Sequence, residues 1–200
     1  MKNKMNYNKI FNNKKVFITG HTGFKGSWLT SCLLNFGAKV MGFSKSDERI
    51  KYYKKICYYK KVKNIYSDIL YYKDLRKKLL KFNPEIIIHL AAQSLVSISY
   101  KIPHKTIETN VMGTLNLIEI SRELKNLKSL LVITSDKCYQ NKELTRGYNE
   151  NDPLGGDDPY SASKASAEFI FNSYSKSFFK NQKKFGFASA RAGNVIGGGD

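Results

Sequence analysis

The feature that most constrains this chain is a glycine-rich turn between an apolar run and an amphipathic stretch. Gly20, Gly23 and Gly26 follow the apolar residues 16–19 and precede the apolar-periodic residues 27–34. A strand, a glycine turn and a helix in this order bring the backbone close to a pyrophosphate, and the helix start offers unpaired N–H groups. The spacing departs from the strict G-x-G-x-x-G pattern, so a turn that needs glycine only for its backbone is the alternative to nucleotide binding.

Apolar runs alternate with amphipathic stretches along the rest of the chain. Further strands are predicted at residues 39–43, 62–66, 85–93, 130–134 and 185–190. Helices are predicted at residues 27–36, 72–82, 103–124 and 159–179. This alternation predicts an α/β fold, a Rossmann-like doubly wound parallel sheet flanked by helices. We expect a dinucleotide-binding domain over residues 15–200, a disordered basic lead-in over residues 1–14, and a solvated helix or loop over residues 47–61.

Composition narrows the functional classes. The formal net charge of +18 raises nucleic acid or an anionic membrane as partners. The excess is mostly lysine spread along the chain with Asn, Ile, Tyr and Phe, a mixture typical of an AT-rich genome, and no RNP, helix-turn-helix or zinc-finger motif accompanies it. We therefore expect no dedicated nucleic-acid function, and attraction for an anionic substrate instead. No apolar run approaches about 18 residues, which predicts no membrane span.

The N-terminus, the cysteines and the histidines lead to expectations about location, disulfides and metal binding. The first residues lack an apolar signal-peptide core, so a cytoplasmic location is expected. The three cysteines and three histidines are dispersed without paired spacing, which predicts neither a disulfide framework nor a metal site.

The ends of the predicted strands carry further candidate cofactor residues. The second strand ends at Ser44, where dinucleotide folds usually place an acid for the ribose hydroxyls, so NAD and NADP both stay open. Asp68 and Ile69 follow the third strand, where a carboxylate and a backbone N–H can bind an adenine amino group. The fourth strand delivers residues that let a ligand lie against the backbone: Leu90, Ala91 and Ala92. His89 on that strand is expected to be packed and hydrogen-bonded rather than catalytic.

A tyrosine and a lysine four residues apart are the strongest candidates for chemistry. Tyr160 and Lys164 follow Pro159, which suits the first turn of a helix, and therefore share a helix face. An ammonium group near a phenol stabilises phenolate, so Lys164 is expected to lower the pKa of Tyr160 and make it a base for a hydroxyl proton. The lysine can also hold a cofactor ribose. Ser135 arrives from the preceding strand, and this setting gives weight to a Y-x-x-x-K spacing that also occurs by chance.

Together these segments resemble the extended short-chain dehydrogenases/reductases over residues 15–200. The motifs that carry the resemblance are Thr19-Gly20-x-x-Gly23-x-x-Gly26, Asp68-Ile69, His89-Leu-Ala91-Ala92, Asn110 with Gly113-Thr114, the Ser135 strand, and Pro159-Tyr160-x-x-x-Lys164. More narrowly, four longer blocks are similar to the CDP-glucose 4,6-dehydratases. These blocks are residues 21–28, 134–139, 151–156 and 190–199.

The resemblance implies an enzyme of deoxysugar biosynthesis for surface polysaccharide such as lipopolysaccharide O-antigen, with NAD as cofactor and CDP-glucose as substrate. The implied cofactor-binding residues are Gly20, Thr22, Gly23, Phe24, Lys25, Gly26, Asp68, Ile69, Leu90, Ala91, Ala92, Tyr160 and Lys164. The implied substrate contacts are Gln93, Ser135 and Asn194. The resemblance also implies a homodimer formed through the helices near residues 103–124 and 159–179.

The implied reaction is a redox-neutral dehydration. Tyr160, aided by Ser135 and Lys164, takes the proton of the sugar 4-hydroxyl while hydride passes from C4 to NAD⁺, water then leaves across C5–C6, and hydride returns to C6. Asp136 is implied as the acid for the departing 6-hydroxyl. Lys137 stands where dTDP-glucose relatives carry glutamate. It is either the C5 base, which requires a partly neutral lysine, or a group that only positions the substrate.

Two departures from the family pattern limit these expectations. Ser97 lies near a position where many relatives carry arginine, so one local substrate contact is not carried over. Family members continue past the position of Asp200 into a lobe that holds the substrate nucleotide. The chain is therefore expected to keep the cofactor half and the catalytic side chains, and to be weak or inactive alone.

Three alternatives stay open from the sequence. A sugar-nucleotide epimerase or reductase shares the same fold, but it does not need the acid that Ser135-Asp136-Lys137 places beside Tyr160. A non-catalytic NAD-binding fragment is the second alternative. A basic nucleic-acid-binding protein is the third, and salt-sensitive binding to DNA would distinguish it.

Overall fold

The computed structural model describes residues 6–46, 49–180 and 185–199. Its strands are β1 Lys15–Thr19, β2 Lys39–Ser44, β3 Lys63–Tyr66, β4 Ile86–His89, β5 Ser129–Ile133 and β6 Gly186–Ala190. Its α-helices are α1 Tyr7–Phe11, α2 Phe24–Asn35, α3 Ile50–Ile56, α4 Tyr72–Phe82, α5 Val96–Lys101, α6 Pro103–Ile107, α7 Gly113–Ser121 and α8 Pro159–Tyr174. Shorter turns are the π-helical Glu108–Met112 and Ser175–Phe179 and the 3-10 turns Tyr59–Lys61 and Asp136–Cys138.

The six strands form one parallel sheet in the order β3-β2-β1-β4-β5-β6. Parallel neighbours need crossover connections, and the helices between the strands supply them. The strand order reverses between β1 and β4, and open sheets bind ligands beyond the carboxyl ends of the strands at such a point. The predicted Rossmann-like fold is confirmed, and the expected site lies where the glycine turn leaves β1.

The central strands β1, β4 and β5 are mostly apolar because both faces of the sheet are covered there. On β1, Phe17 packs in the layer formed with α4, α7 and α8, whereas Val16 and Ile18 pack with α2 and α3. The first layer buries Leu75, Leu79, Ile87, Leu117 and Leu130, and the second buries Leu33, Val40, Tyr53 and Ile88. Within the described residues, no helix is both long enough and apolar enough to cross a membrane.

The expected disordered lead-in differs from what the structure places there. Part of it forms the short helix α1, and the Tyr7 ring stacks on Phe36 with centroids 5.3 Å apart. Phe11 also packs against the α2 and α3 layer. These aromatic contacts join segments far apart in sequence, which a polar, basic composition does not reveal. Residues 1–5 lie outside the described residues.

The segment 47–61 carries more of the core than expected. Residues 50–56 form α3, and Tyr53 in it is fully buried. Cys57 is buried beside it. The lysines of this segment are exposed, whereas Tyr53 and Tyr59 pack in the layer formed with α2 and α3. Residues 47 and 48 lie outside the described residues.

The helix boundaries follow local backbone chemistry. α2 begins at Phe24 rather than residue 27, because Gly23 serves as its N-cap with an extended backbone. Gly37 after α2 has a φ of 80°, the left-handed conformation predicted for this glycine. The helix predicted from Pro103 to residue 124 ends at Ser121 and contains a π-helical turn.

Candidate active site at the carboxyl edge of the sheet

The glycine turn approaches its neighbours too closely for any side chain. Gly20 has a φ of 72°, and a Cβ built on it would lie 2.8 Å from the backbone nitrogen of Ala91. A Cβ on Gly26 would lie 2.1 Å from the carbonyl oxygen of Gly20. No side chain caps the start of α2 at Gly23. The start of α2 therefore has no side-chain cap, and the backbone around it leaves no room for a methyl group. This arrangement suits the pyrophosphate of a dinucleotide.

A chain of hydrogen bonds ties this turn to the rest of the site through a buried histidine. The Thr19 hydroxyl accepts the backbone N–H groups of residues 90–91 and lies 2.6 Å from Nδ1 of His89. Since Thr19 accepts twice, we assign its proton to Nδ1, and Nε2 of His89 then donates to Thr114 at 2.9 Å. Thr114 in turn donates to the Asn110 carbonyl. The prediction that His89 is packed and hydrogen-bonded is confirmed.

A second buried histidine holds the outer side of the turn. Nδ1 of His21 lies 2.9 Å from the Ser44 hydroxyl, and its Nε2 lies 3.0 Å from Oδ1 of Asn64. Ser44 also accepts the Thr22 N–H at 3.4 Å. A Cβ on Gly42 would lie 2.3 Å from the His21 ring, so the imidazole occupies space that only glycine leaves open. Ser44, at the end of β2, is therefore engaged in supporting the cofactor turn.

Both histidines make the fold sensitive to mild acid. Burial lowers the pKa of His89 to about 3 and that of His21 to about 4. Because the folded state keeps both rings neutral, stability is fully present above about pH 6.5 and is lost as the pH falls. We expect the free energy of unfolding to drop by about 2 kcal/mol per histidine between pH 7.5 and 5.0. Urea titrations at the two pH values measure this loss of unfolding free energy, and H89Q should remove about half of it. The same loss in H89Q as in the parent would contradict the neutral state assigned to the buried His89 ring.

The residues predicted to bind adenine lie at the end of β3. One oxygen of Asp68 accepts the Leu70 N–H at 3.0 Å, and the other pairs with Lys45 at 2.7 Å and Lys105 at 4.0 Å. Burial raises the pKa of Asp68, but the hydrogen bond from Lys45 and the neighbouring positive charges lower it by more. Ile69 is buried against Gly113, where a Cβ would lie 2.6 Å from its side chain. The Asp68 carboxylate is thus charged and held at the edge of the sheet where the cofactor is expected to bind.

Three of the five predicted catalytic residues, Ser135, Tyr160 and Lys164, lie where α8 begins. Asp158 caps α8 by accepting the N–H of Tyr160 at 2.9 Å, which fixes the tyrosine at the first turn. Ser135 lies beside Tyr160 and lowers the pKa of its phenol. Lys164 lies one turn along, with Nζ 5.9 Å from the Tyr160 ring centroid. All three residues are buried, and their catalytic roles stay predictions.

The expected fall in the pKa of Tyr160 is wrong for the chain alone. Burial raises the pKa of this phenol, and the neighbouring Ser135 hydroxyl offsets only part of the rise. The lysine bears the larger change, because complete burial and then the charge of Lys25 lower the pKa of Lys164 to about 8. Burial disfavours the ammonium form, so Lys164 carries the charge that stabilises a phenolate only below this pKa.

Asp136 and Lys137 lie on the exposed side of the same edge. Asp136 accepts the Ser135 hydroxyl at 3.0 Å, and Ser135 accepts the Lys137 N–H at 3.2 Å. Both side chains line a cavity of about 1150 Å³ that extends toward Tyr139 and Arg191. Lys137 is exposed. Burial raises the pKa of Asp158, but its hydrogen bonds with Ser161 and Tyr160 and the charge of Lys137 lower it by more.

The two remaining predicted substrate contacts differ in their surroundings. The amide of Gln93 is engaged within its own turn, donating to the Leu95 carbonyl and Thr106 and accepting the Leu95 N–H. Asn194 is exposed on the segment after β6, close to Gly193, which passes beside Asp136. Asn194 is therefore the more accessible of the two groups.

Asn110 links the substrate side to α8. It lies in the π-helical turn, its Oδ1 accepts the Gln93 N–H at 2.8 Å, and its Nδ2 donates to Ser163 at 2.8 Å. Ser163 donates to the Tyr160 carbonyl at 2.6 Å. The extra residue in a π-helical turn re-aims side chains, and such turns are frequent at functional sites. The network fixes the start of α8 against the ends of β1 and β4.

The segment after β6 crosses the outer side of the glycine turn. The indole N–H of Trp28 donates to the Gly198 carbonyl at 3.2 Å, and the Tyr52 hydroxyl donates to the same carbonyl. Gly197 lies against Phe24, where a Cβ would be 3.2 Å from the ring. Residues from α2 and α3 thus hold this segment near the cofactor edge.

Sequence reasoning missed one charged residue of the site. Glu168 is fully buried one turn beyond Lys164 and forms an ion pair with Arg191 at 3.0 Å. Its spacing of four from Lys164 and eight from Tyr160 is the signal that could have revealed it. Among the described residues, no three His, Cys, Asp or Glu side chains form a group that could hold a metal ion.

Comparison with known proteins identifies sequence relatives over nearly the whole chain. Residues 17–182 match the profile of the GDP-mannose 4,6 dehydratase family. The chain is 46% identical over 192 residues to CDP-glucose 4,6-dehydratase of Salmonella typhimurium, covering 94% of this chain and 54% of that protein. It is 32% identical over 198 residues to dTDP-D-glucose 4,6-dehydratase of Dictyostelium discoideum, covering 92% and 44%. The chain spans about half the length of these curated relatives.

Solved structures share the fold. The epimerase Mth375 of Methanothermobacter thermautotrophicus superposes with a TM-score of 0.81 at 23% identity, covering 94% of this chain and 53% of that one. UDP-glucose 4-epimerase of Brucella ovis, solved in complex with NAD, gives 0.70 at 22% identity, covering 83% and 49%. The resemblance inferred from the sequence blocks is confirmed, and this chain belongs to the GDP-mannose 4,6-dehydratase family.

Proposed function

We propose that this chain carries the cofactor-binding and catalytic half of a sugar-nucleotide 4,6-dehydratase that acts on CDP-glucose. The observation that carries the proposal is the convergence of Ser135, Tyr160 and Lys164 beside the glycine turn, with Asp136 bonded to Ser135. The first three groups suit removal of a hydroxyl proton, and the added acid suits loss of water. The 46% identity to the Salmonella enzyme supports CDP-glucose over other sugar nucleotides.

NAD is the proposed cofactor. The glycine turn and the start of α2 suit its pyrophosphate, Asp68 and Ile69 suit the adenine, and Tyr160 and Lys164 suit the nicotinamide ribose. When bound, this group supplies an acceptor for hydride from the sugar and a donor for its return. The positive charges of Lys25 and Lys164 favour an anionic dinucleotide at this place.

The protein side chains then divide the proton transfers. Tyr160 takes the proton of the sugar 4-hydroxyl, with Ser135 orienting both groups. Lys164 stabilises the resulting phenolate when it is protonated, which its pKa of about 8 permits at neutral pH. Asp136, exposed to the cavity, delivers a proton to the departing 6-hydroxyl. Lys137 contacts the substrate from the same side, and its role as the C5 base stays a prediction.

Isotope transfer tests the proposed reaction. CDP-glucose carrying deuterium at C4 is incubated with the purified protein and NAD, and the product is examined by mass spectrometry and NMR. Since the chain is expected to be weak alone, we expect slow formation of a product lighter by one water with the deuterium at C6. A product of unchanged mass would instead indicate epimerisation. Calorimetric NAD binding without any turnover would indicate that this chain is a cofactor-binding fragment.

A homodimer through α6, α7 and α8 is also proposed. Exposed apolar side chains on these helices and the intervening π-helical turn include Ile107, Met112 and Phe169, the last 58% exposed. Apolar groups grouped on adjoining helices are typical of an interface. We expect M112K/F169K to sediment as a monomer at concentrations where the parent is a dimer. L144K, at an exposed apolar residue of the 139–158 loop, is the control; equal sedimentation of both variants would contradict this interface.

A further inference from the structure

Glu168 connects three elements of the candidate active site from a fully buried position. It lies on α8, four residues beyond Lys164. Its Oε1 accepts the Thr134 hydroxyl at 2.5 Å. Its Oε2 accepts the Ser189 hydroxyl at 3.1 Å and Arg191 at 3.0 Å. One carboxylate therefore joins the helix that carries Tyr160 to the ends of β5 and β6.

The contact with Thr134 reaches the residue next to Ser135. Backbone pairing between the two chain segments continues past the strands, since the Thr134 N–H donates to the Ala190 carbonyl at 2.9 Å and the Asp136 N–H to the Ala192 carbonyl at 3.2 Å. The turn that bears Ser135 and Asp136 is thus bonded to the segment after β6. Glu168 fixes this paired unit relative to α8.

The negative charge of the Glu168 carboxylate is balanced by the neighbouring Arg191. Arg191 donates to Glu168 and to the Glu150 carbonyl, and its guanidinium lies 4.8 Å from the Tyr139 ring centroid. Burial lowers the pKa of Arg191, but its hydrogen bonds to Tyr139 and Glu168 raise it by more. The side chains of Arg191 and Glu168 are 13% and 1% exposed, so this pair is largely shielded from solvent. Such pairs hold their geometry firmly, because breaking one leaves a buried charge.

We propose that Glu168 is a positioning residue, which sets the distance between Ser135 and Tyr160 by bonding Thr134 at the end of β5. The inference rests on the proposed function, since it concerns the same Ser135–Tyr160 pair. Ser135 and Tyr160 belong to different elements, and the effect of one hydroxyl on the other is sensitive to small displacements. Glu168 supplies a direct side-chain link between α8, which carries Tyr160, and the residue next to Ser135.

The test measures the Ser135–Tyr160 contact without requiring turnover. T134V keeps the side-chain shape, removes the hydroxyl that bonds Glu168, and leaves the Glu168–Arg191 pair in place. The pKa of Tyr160 is read by NMR from protein labelled with ¹³C at the tyrosine Cζ, the resonance being assigned with Y160F. Because the Ser135 hydroxyl lowers the pKa of Tyr160, moving that hydroxyl away should raise the pKa of Tyr160.

Matched variants separate positioning from general destabilisation. S135A gives the reference rise, and T134V combined with S135A should add nothing to it, since both remove the effect of the same Ser135 hydroxyl. E119Q removes another carboxylate bonded to arginine, on α7, and should leave the Tyr160 titration unchanged. S189A keeps the link to Thr134 and should give less than a third of the T134V effect. A folded E168Q protein should show the same change in the Tyr160 titration as T134V. If E168Q does not fold, the titration of T134V tests the positioning role by itself.

Two outcomes would overturn the proposal. A folded T134V protein with the parental Tyr160 titration would show that Glu168 only balances Arg191. A further rise in the double variant would show that Thr134 acts on Tyr160 by another route. Conversion of CDP-glucose is measured in parallel, and its absence in the parent protein would count against the proposed function while the NMR result still stands.

Discussion

Replacing Gly26 by alanine is expected to lower the affinity for NAD by about 100-fold or more while leaving the sheet folded. The added methyl would lie 2.1 Å from the Gly20 carbonyl oxygen and 2.8 Å from the His21 Cα. Both neighbours are backbone atoms, so the turn must move away from the start of α2. Loss of two charge-assisted hydrogen bonds of about 1.5–3 kcal/mol each accounts for a change of this size.

The effect is opposite to what helix propensity predicts. Alanine stabilises a helix interior by about 1 kcal/mol relative to glycine, and position 26 lies within α2. Calorimetry with NAD measures the affinity, and circular dichroism verifies the fold. G147A is the control, because a Cβ there meets no atom within 4 Å. G23A should be intermediate, since its Cβ would lie 3.3 Å from the Gly20 oxygen. Full NAD affinity in G26A would contradict the proposed pyrophosphate site.

Removal of the Tyr160 hydroxyl should abolish most of the turnover. Y160F deletes the group proposed to take the 4-hydroxyl proton, and general bases contribute about 10²–10⁴-fold to rates. NAD affinity should fall by no more than about 10-fold, because a single hydrogen bond is lost. Single-turnover conversion of CDP-glucose with protein in excess measures the rate even when catalysis is slow.

A second tyrosine on the same helix provides the control. The Tyr174 hydroxyl donates to Glu119 at 2.8 Å, remote from Ser135, so Y174F should retain the parental rate. The rate of the parent should increase with pH up to about 8 and then level off or fall, since the base must be deprotonated while Lys164 stays protonated. A Y160F protein within threefold of the parental rate would assign proton removal to another group.

Hydrophobic patterning predicts the fold well because the central parallel strands β1, β4 and β5 are mostly apolar. β4 is the run Ile86-Ile87-Ile88 between turn residues, and the helix Tyr72–Phe82 agrees with its predicted bounds. The glycine turn is recognisable because close backbone approach demands glycine at fixed positions. Motif spacing also identifies Tyr160, Lys164 and Ser135, which the structure brings together.

Long-range packing explains what the sequence does not reveal. The direction of the pKa change at Tyr160 depends on how much protein covers the phenol, which local spacing does not encode. Glu168 reads as an ordinary helical glutamate until β5 and β6 bring Thr134 and Arg191 against it. α1 cannot be predicted from the sequence for the same reason, since it is held by stacking of Tyr7 on Phe36, which lies beyond α2.

The contact between Trp28 and Gly198 makes the protein its own optical probe. Trp28 is the single tryptophan of the chain, and its indole is bonded where the segment after β6 crosses α2. Emission from an indole shifts in wavelength and intensity with the polarity around the ring. The fluorescence of the unlabelled protein therefore reports on one junction, and release of that segment by a ligand or by denaturant can be followed in real time.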